Sequence, residues 1–144
     1  MNYQRIRSIS LSEYPIAEIL QANDLPIDDL KTAPIQFYGI FENDKMKGIG
    51  DFETYGKCAI LRSIAVPKEF RGMGYGKEVV SFVEKTAKEK QINTLYLLTT
   101  TAYQYFQKYG YQTITLDTCP PDILSSAEFS KLCPSSARCY SKNF

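Results

Sequence analysis

A chain of 144 residues, 44% apolar and 23% charged, is long enough for one core, too short for two, and neither disordered nor fibrous in composition. A net charge of +1 without a basic block argues against a nucleic-acid binder held by phosphate contacts. Histidine is absent, which removes Ser-His-Asp and Cys-His catalysis and the commonest zinc ligand. Proton transfer is left to carboxylate, tyrosine, cysteine or water, and no metal site is expected. No segment has the apolar length of a membrane span, and Met1 to Arg5 lack the apolar core of a signal peptide. A single domain over residues 1–144, cytoplasmic and without membrane contact, is the expectation. The four cysteines, Cys58, Cys119, Cys133 and Cys139, form no C-x-x-C pair and read as thiols in a reducing compartment.

In chain order, residues 3–9 alternate weakly and predict a strand. Residues 11–22 carry Pro15 early and Ile16, Ile19 and Leu20 on one face, predicting a helix capped near Ser12. Pro26 helps to break it, and residues 27–31 predict a short second helix. Residues 35–41 and 46–54 predict strands joined by a hairpin turn over 42–45. After a turn at 55–57, residues 58–66 hold only Arg62 and Ser63 as polar exceptions. So short an apolar run, ended by Pro67, fits a strand covered on both faces. From Lys77 the pattern turns helical, with Val79, Val80, Phe82, Val83 and Ala87 in one stripe. Residues 94–99 predict a strand, followed by a short helix capped by Thr100 or Thr101, with Ala102, Tyr105, Phe106 and Tyr109 on one face and Gly110 just past its end. A strand over 111–116, a short helix over 122–126 and a strand over 137–142 complete the order.

The segment with the most specific chemistry lies between the apolar strand and the long helix. Three glycines within five residues, Gly72, Gly74 and Gly76, let the backbone approach a ligand closely. They stand at a helix N-terminus, where N–H groups and the dipole favour an anion. This is a phosphate seat. It is not a Walker loop, because G-x-x-x-x-G-K-S/T is absent, nor a dinucleotide loop, because the glycines are not spaced G-x-G-x-x-G.

Strand, Val66-Pro67, then Arg71-Gly72-Met73-Gly74-Tyr75-Gly76 in the form R/Q-x-x-G-x-G, then helix: this order resembles the GNAT superfamily of N-acetyltransferases. The predicted element order, β-α-α-β-β-β-α-β-α-β-(helix)-β, resembles it too. The resemblance implies an α+β fold, a mixed, mostly antiparallel central sheet flanked by helices, and acetyl-CoA as co-substrate. It implies that residues 71–77, Arg71 to Lys77, hold the pyrophosphate. It further implies that the strand backbone at Ile64, Ala65 and Val66 pairs with the pantetheine arm, an N–H there facing the thioester carbonyl.

Many members of that family read N-x-x-A-x-x-x-Y-x-x-x-G-F/Y across the next strand and helix. Here Thr99 replaces the asparagine and Phe106 the tyrosine that often protonates the leaving thiolate. Phe106 then remains a cofactor contact, and Tyr103, one turn earlier, is the substitute acid. A thiol of pKa about 8.5 also leaves tolerably without one. Tyr105 points about 100° away around the helix and reads as core. Leu98 to Tyr111 is most similar to the acetyltransferase domain that acetylates glutamate and to small GNATs encoded with arsenic-resistance operons. Residues 23–26, 61–66 and 128–137 strengthen the second likeness.

That likeness implies a small amine as substrate, an amino acid or an analogue of one. Arg62, a guanidinium in an apolar strand, needs a partner: a substrate carboxylate in the cleft, an internal pair with Glu53 or Asp51, or water at a solvent-facing strand end. Glu53 is the candidate general base, directly or through water, or else an exposed carboxylate at a hairpin end. Tyr55, Ser63 and Thr99 are further candidates to line the substrate cleft, with residues 23–31 along its outer side. Ser63 has no base to activate it as a nucleophile. Soft thiolates at Cys133 and Cys139 are candidates for a trivalent arsenical. Acetylation of a protein N-terminus or lysine, and a non-catalytic acetyl-CoA-binding module, are the competing readings; a homodimer is left open.

Overall fold

The computed structural model describes residues 6–10, 12–22, 35–99, 102–126, 129 and 138–144. The elements are β1 (Ile6–Ile9), α1 (Ile16–Ala22), β2 (Ile35–Glu42), β3 (Lys45–Tyr55), β4 (Cys58–Ala65), α2 (Tyr75–Glu89), β5 (Thr94–Thr99), α3 (Tyr103–Lys108), β6 (Gln112–Ile114), α4 (Pro121–Leu124) and β7 (Arg138–Asn143). Short 3-10 turns cover Lys68–Phe70 and Leu116–Thr118. The strands form one sheet in the order β1-β2-β3-β4-β5-β7-β6. Every neighbouring pair is antiparallel except β4 and β5. This is the mixed, mostly antiparallel α+β architecture expected.

The sequence explains the junctions. Asn43 and Asp44, both at positive φ, make the two-residue turn between β2 and β3, with Glu42 facing Lys45; such turns match the twist of the strands they join. One face of the sheet carries Tyr38, Ile40, Phe52, Ala59 and Leu61 against Val79, Val80, Val83 and Ala87 of α2, the main core. Alternation along the strands sends the other residues to the opposite face. There Phe37, Ile49 and Ala65 pack with Ile16 and Leu20 of α1, and Ile60 packs with Ile123 of α4 and with Cys119 and Cys139.

Several boundaries differ from expectation. α1 starts at Ile16 instead of near Ser12; Ser10 accepts a bond from the Glu13 N–H and its hydroxyl donates to the Glu13 carboxylate, closing a turn first. α2 starts at Tyr75, two residues before Lys77. β6 is only three residues long, and a 3-10 turn takes over at Leu116. The expected helix over 27–31 and the caps at Thr100 and Thr101 lie outside the described residues. No helix among the described residues is long and apolar enough to cross a membrane.

Candidate active site

β4 and β5 run parallel but pair only through Cys58–Thr94, Ala59–Leu95 and Ile60–Tyr96. Beyond Ile60 the two strands part, although β4 continues to Ala65 and β5 to Thr99. Among the described residues no strand stands opposite the peptide groups of β4 that point toward β5 beyond Ile60, so the sheet opens into a gap lined by main-chain donors and acceptors. On its other side β4 carries a bulge. Asp51 faces Arg62 and Ile49 faces Ala65, so Gly50 alone stands against Ser63 and Ile64. A bulge takes residues out of the ladder and reverses the sense of the side chains after it. Ile64 accordingly packs against the α2-side core, instead of sharing the face of Arg62. Gly50 makes the space: a Cβ there would lie 2.4 Å from Val79 Cγ1 and 2.6 Å from Ile64 Cδ1.

The glycine loop closes the wide end of the gap. Gly72 and Gly74 sit at φ +82° and +86°, and a Cβ on either would meet nothing within 4 Å. Their backbone therefore borders open space in a conformation that disfavours side chains. The first helical bond there runs from the Glu78 N–H to the Gly74 carbonyl (3.1 Å). The N–H groups of Tyr75, Gly76 and Lys77 thus form the open first turn of α2. Arg71 Nε donates to the Val66 carbonyl (3.1 Å), tying the loop to the end of β4. The Tyr75 hydroxyl donates to Glu42, and Lys47 Nζ lies 3.7 Å from the centre of the Phe70 ring. The β2–β3 hairpin thereby braces the loop. Main chain, positive φ and a helix terminus make a seat that fits a pyrophosphate.

Beside the gap, on the face opposite α2, lies a charged cluster. Asp51, Glu53 and Tyr55 alternate along β3, and Arg62 stands across from Asp51. Arg62 Nη1 donates to Glu53 Oε1 at 3.1 Å, while the Tyr55 hydroxyl donates to Glu53 Oε2. Asp51 and Glu53 are 0% exposed and Arg62 4%. Past Ile60, where β5 departs, Leu61 points to the α2-side core and Arg62 is the first residue of β4 on the opposite face.

Residues 3–111 match the model of the acetyltransferase (GNAT) family. The chain belongs to the GNAT family. It is an acetyl-CoA-dependent acetyltransferase. It is similar to the uncharacterized protein YyaT of Bacillus subtilis strain 168, 27% identical over 129 residues that cover 87% of this chain and 85% of that one. In fold it is similar to N-acetylglutamate synthase from Neisseria gonorrhoeae, solved with coenzyme A and N-acetyl-glutamate, at a TM-score of 0.78 and 17% identity. That match covers 96% of this chain but only 34% of the synthase. It is also similar in fold to the ribosomal-protein-S18-alanine N-acetyltransferase of Escherichia coli, at a TM-score of 0.72 and 16% identity over 96% of this chain and 92% of that one.

Within this GNAT chain the structure brings Glu53, Tyr55 and Arg62 together and leaves others apart. Of the alternatives weighed for Arg62, the internal pair with Glu53 is present. Neither side chain is open to solvent in this arrangement, and Glu53 is not an exposed hairpin-end carboxylate. Thr99 sits at the end of β5, but its hydroxyl accepts the Ala102 N–H at 3.0 Å and so caps the approach to α3. Phe106 is buried in the main core, edge-on to Tyr105 and Tyr111. Tyr105 is half-buried against that core, as its position on the helix implied, and burial pushes its phenol up to about 12, with Tyr109 and Glu84 adding to the rise. The Tyr75 side chain is buried against the hairpin, which leaves its main chain for a ligand. Met73 is 64% exposed on the loop. The side chains of Ser63 and Tyr103, all of Cys133 and residues 23–31 lie outside the described residues.

Sequence reasoning passed over Gly50 and the bracing pairs Tyr75–Glu42 and Lys47–Phe70. The alternation of Asp51, Glu53 and Tyr55 in one strand was the available signal that an inward-facing row was polar. No such signal marks Gly50, whose role depends on two other elements.

Proposed function

We propose that the chain acetylates the amine of a small molecule, an amino acid or a relative of one, by direct transfer in a ternary complex. The observation that carries this reading is the charged cluster at the mouth of the β4–β5 gap. Two carboxyl side chains, Asp51 and Glu53, stand there with one guanidinium, Arg62, a lining that suits an amine acceptor better than an anionic one. The synthase similar in fold was solved with an acetylated amino acid, which supports the same class. The likeness to an S18-alanine acetyltransferase supports a second reading, acetylation of a protein N-terminus.

In this reading residues 71–77 seat the pyrophosphate through backbone N–H groups and the α2 terminus, and residues 64–66 take the pantetheine arm along the gap. Bound acetyl-CoA supplies an activated acetyl thioester. The Ile64 N–H, freed from the ladder by the bulge, is the candidate donor to the carbonyl oxygen. Glu53, coupled through Tyr55 to the partly exposed surface, is the candidate acceptor for the amine proton. Arg62 holds Glu53 in place, and a substrate carboxylate would have to exchange with Glu53 to reach it. Phe106 offers no acid, so the thiolate leaves unassisted unless Tyr103 serves. Direct transfer needs no acetyl-enzyme: the chain has no histidine to activate a serine such as Ser63, and Cys58 lies about 23 Å along β4 from Ala65. The whole sequence acts as one domain in the cytoplasm.

The test is thiol release from acetyl-CoA with amino acids, simple amines and peptides as acceptors. Small amines are expected to turn over, and Glu53→Gln to lower kcat while leaving KM for acetyl-CoA within twofold. Turnover restricted to peptides would overturn the small-amine reading in favour of the protein-modifying one.

A further inference from the structure

Three cysteines meet on the sheet face opposite α2, away from the glycine loop. Cys139 lies on β7, paired on one side with Leu98 of β5 and on the other with Ile114 of β6. Cys119 ends the 3-10 turn that leads from β6 toward α4, its N–H donating to the Leu116 carbonyl at 3.0 Å. Both are buried, and their Sγ atoms stand 3.7 Å apart. Cys58, half-buried at the start of β4, joins the same apolar cluster, as do Ile60, Ile123 and Tyr96. Tyr96 packs against the same cluster, and burial raises its phenol, with Cys58, Cys119 and Cys139 each adding to the rise. Among the described residues no group of three or more His, Cys, Asp or Glu is arranged to hold a metal ion.

A separation of 3.7 Å is van der Waals contact between sulfurs; a disulfide needs about 2.05 Å. Closing the difference, about 1.7 Å, asks for side-chain rotation and a small shift of the turn, not for a new strand register. Cys139 is fixed by ladders on both sides. Cys119 is held down by Ile123 of α4, which is buried against Ile60 and Cys139. The sulfurs are thus delivered to each other by elements that have independent reasons to be there.

We propose that Cys119 and Cys139 are a reversible oxidation site, closing to a disulfide when the protein meets a small peroxide. One thiolate attacks the peroxide, whose O–O bond breaks; its sulfur becomes a sulfenic acid and one water leaves. The second sulfur then attacks the first, the S–O bond breaks, the S–S bond forms and a second water departs. The two thiols are oxidised by two electrons and one hydrogen peroxide is reduced to two waters. Burial pushes the Cys119 thiol up and the contact with Cys139 pulls it back, so the reaction is slow and admits only small oxidants. The product ties residues 119 to 139 into a closed loop that carries α4 and Phe129.

The test treats the full chain with hydrogen peroxide, blocks remaining thiols in denaturant, and maps peptides without reduction. The expected result is loss of two hydrogen atoms in mass, a cross-linked peptide joining Cys119 to Cys139, recovery of both on adding dithiothreitol, and a melting temperature higher by several degrees in the oxidised form. Cys119→Ser is expected to abolish the cross-link and Cys133→Ser to leave it intact. Cross-links that run instead to Cys133 or Cys58, oxygen addition at Cys119 without a cross-link, or unchanged thiols would each overturn the proposal.

Discussion

A guanidinium and a carboxylate held at 3.1 Å with almost no exposure have given up most of their hydration, and their mutual attraction offsets the loss only while both are present. Arg62→Met therefore deprives buried Glu53 of its cation and is expected to lower the unfolding free energy by about 3–5 kcal/mol. The double variant Glu53→Gln/Arg62→Met should lose clearly less than the two single losses added together. Urea unfolding of the four proteins checks this, and additivity to within about 0.5 kcal/mol would show that the pair is not coupled. That Arg62 needed a partner was legible in the sequence, since a charge in an apolar strand cannot stand alone. Which partner it takes was not, because that follows from the β3–β4 register, a relation between two strands that neither specifies alone.

The bulge between Gly50 and Ser63–Ile64 is the element on which the proposed oxyanion donor depends. Gly50→Ala puts a methyl group where Val79 and Ile64 already stand, and overpacking of this kind costs about 1–3 kcal/mol. Relief by displacing Ile64 would move its N–H as well. The expected outcome is a lower melting temperature together with a fall in kcat, read from thermal unfolding and steady-state kinetics. Full kcat in a destabilised Gly50→Ala protein would separate the bulge from catalysis. The strands, the hairpin turn and α2 were readable because each rests on local periodicity or turn chemistry. Helix starts were read less well. α2 begins two residues early because Gly74, in the left-handed region, lets Tyr75 enter the helix and bury its ring, a gain that depends on Glu42 some thirty residues away. Thr99, a candidate to line the cleft, also accepts the Ala102 N–H through its hydroxyl, a contact that strand periodicity does not announce.

At the scale of the molecule, several tyrosines are held neutral by the fold. Burial raises the Tyr111 phenol far above its usual range, helped by its 2.7 Å hydrogen bond to Glu84, and Tyr105 rises to about 12. In the unfolded chain both ionise near pH 10, as unperturbed phenols do. Above about pH 10 the unfolded state therefore binds fewer protons than the folded one, and stability falls as pH rises toward about 12. In a Tyr105→Phe/Tyr111→Phe protein the fall in unfolding free energy between about pH 10 and 12 is expected to be shallower than in the parent chain, and an identical slope in urea unfolding would refute it. The overall architecture was legible because element order and the glycine loop agree; the thiol contact between Cys119 and Cys139 was not, being made between a turn and a strand that meet only when the sheet is complete.

The strand order carries a consequence for synthesis. β7 lies between β5 and β6 yet follows both in the chain. As the polypeptide leaves a ribosome, β1 to β5 can assemble first, with one side of β5 bare and β6 without a neighbour to pair with. An unpaired strand edge invites pairing with other chains. Vectorial synthesis thus leaves a nascent protein exposed to association along β5 until residues 138–143 emerge and fill the slot.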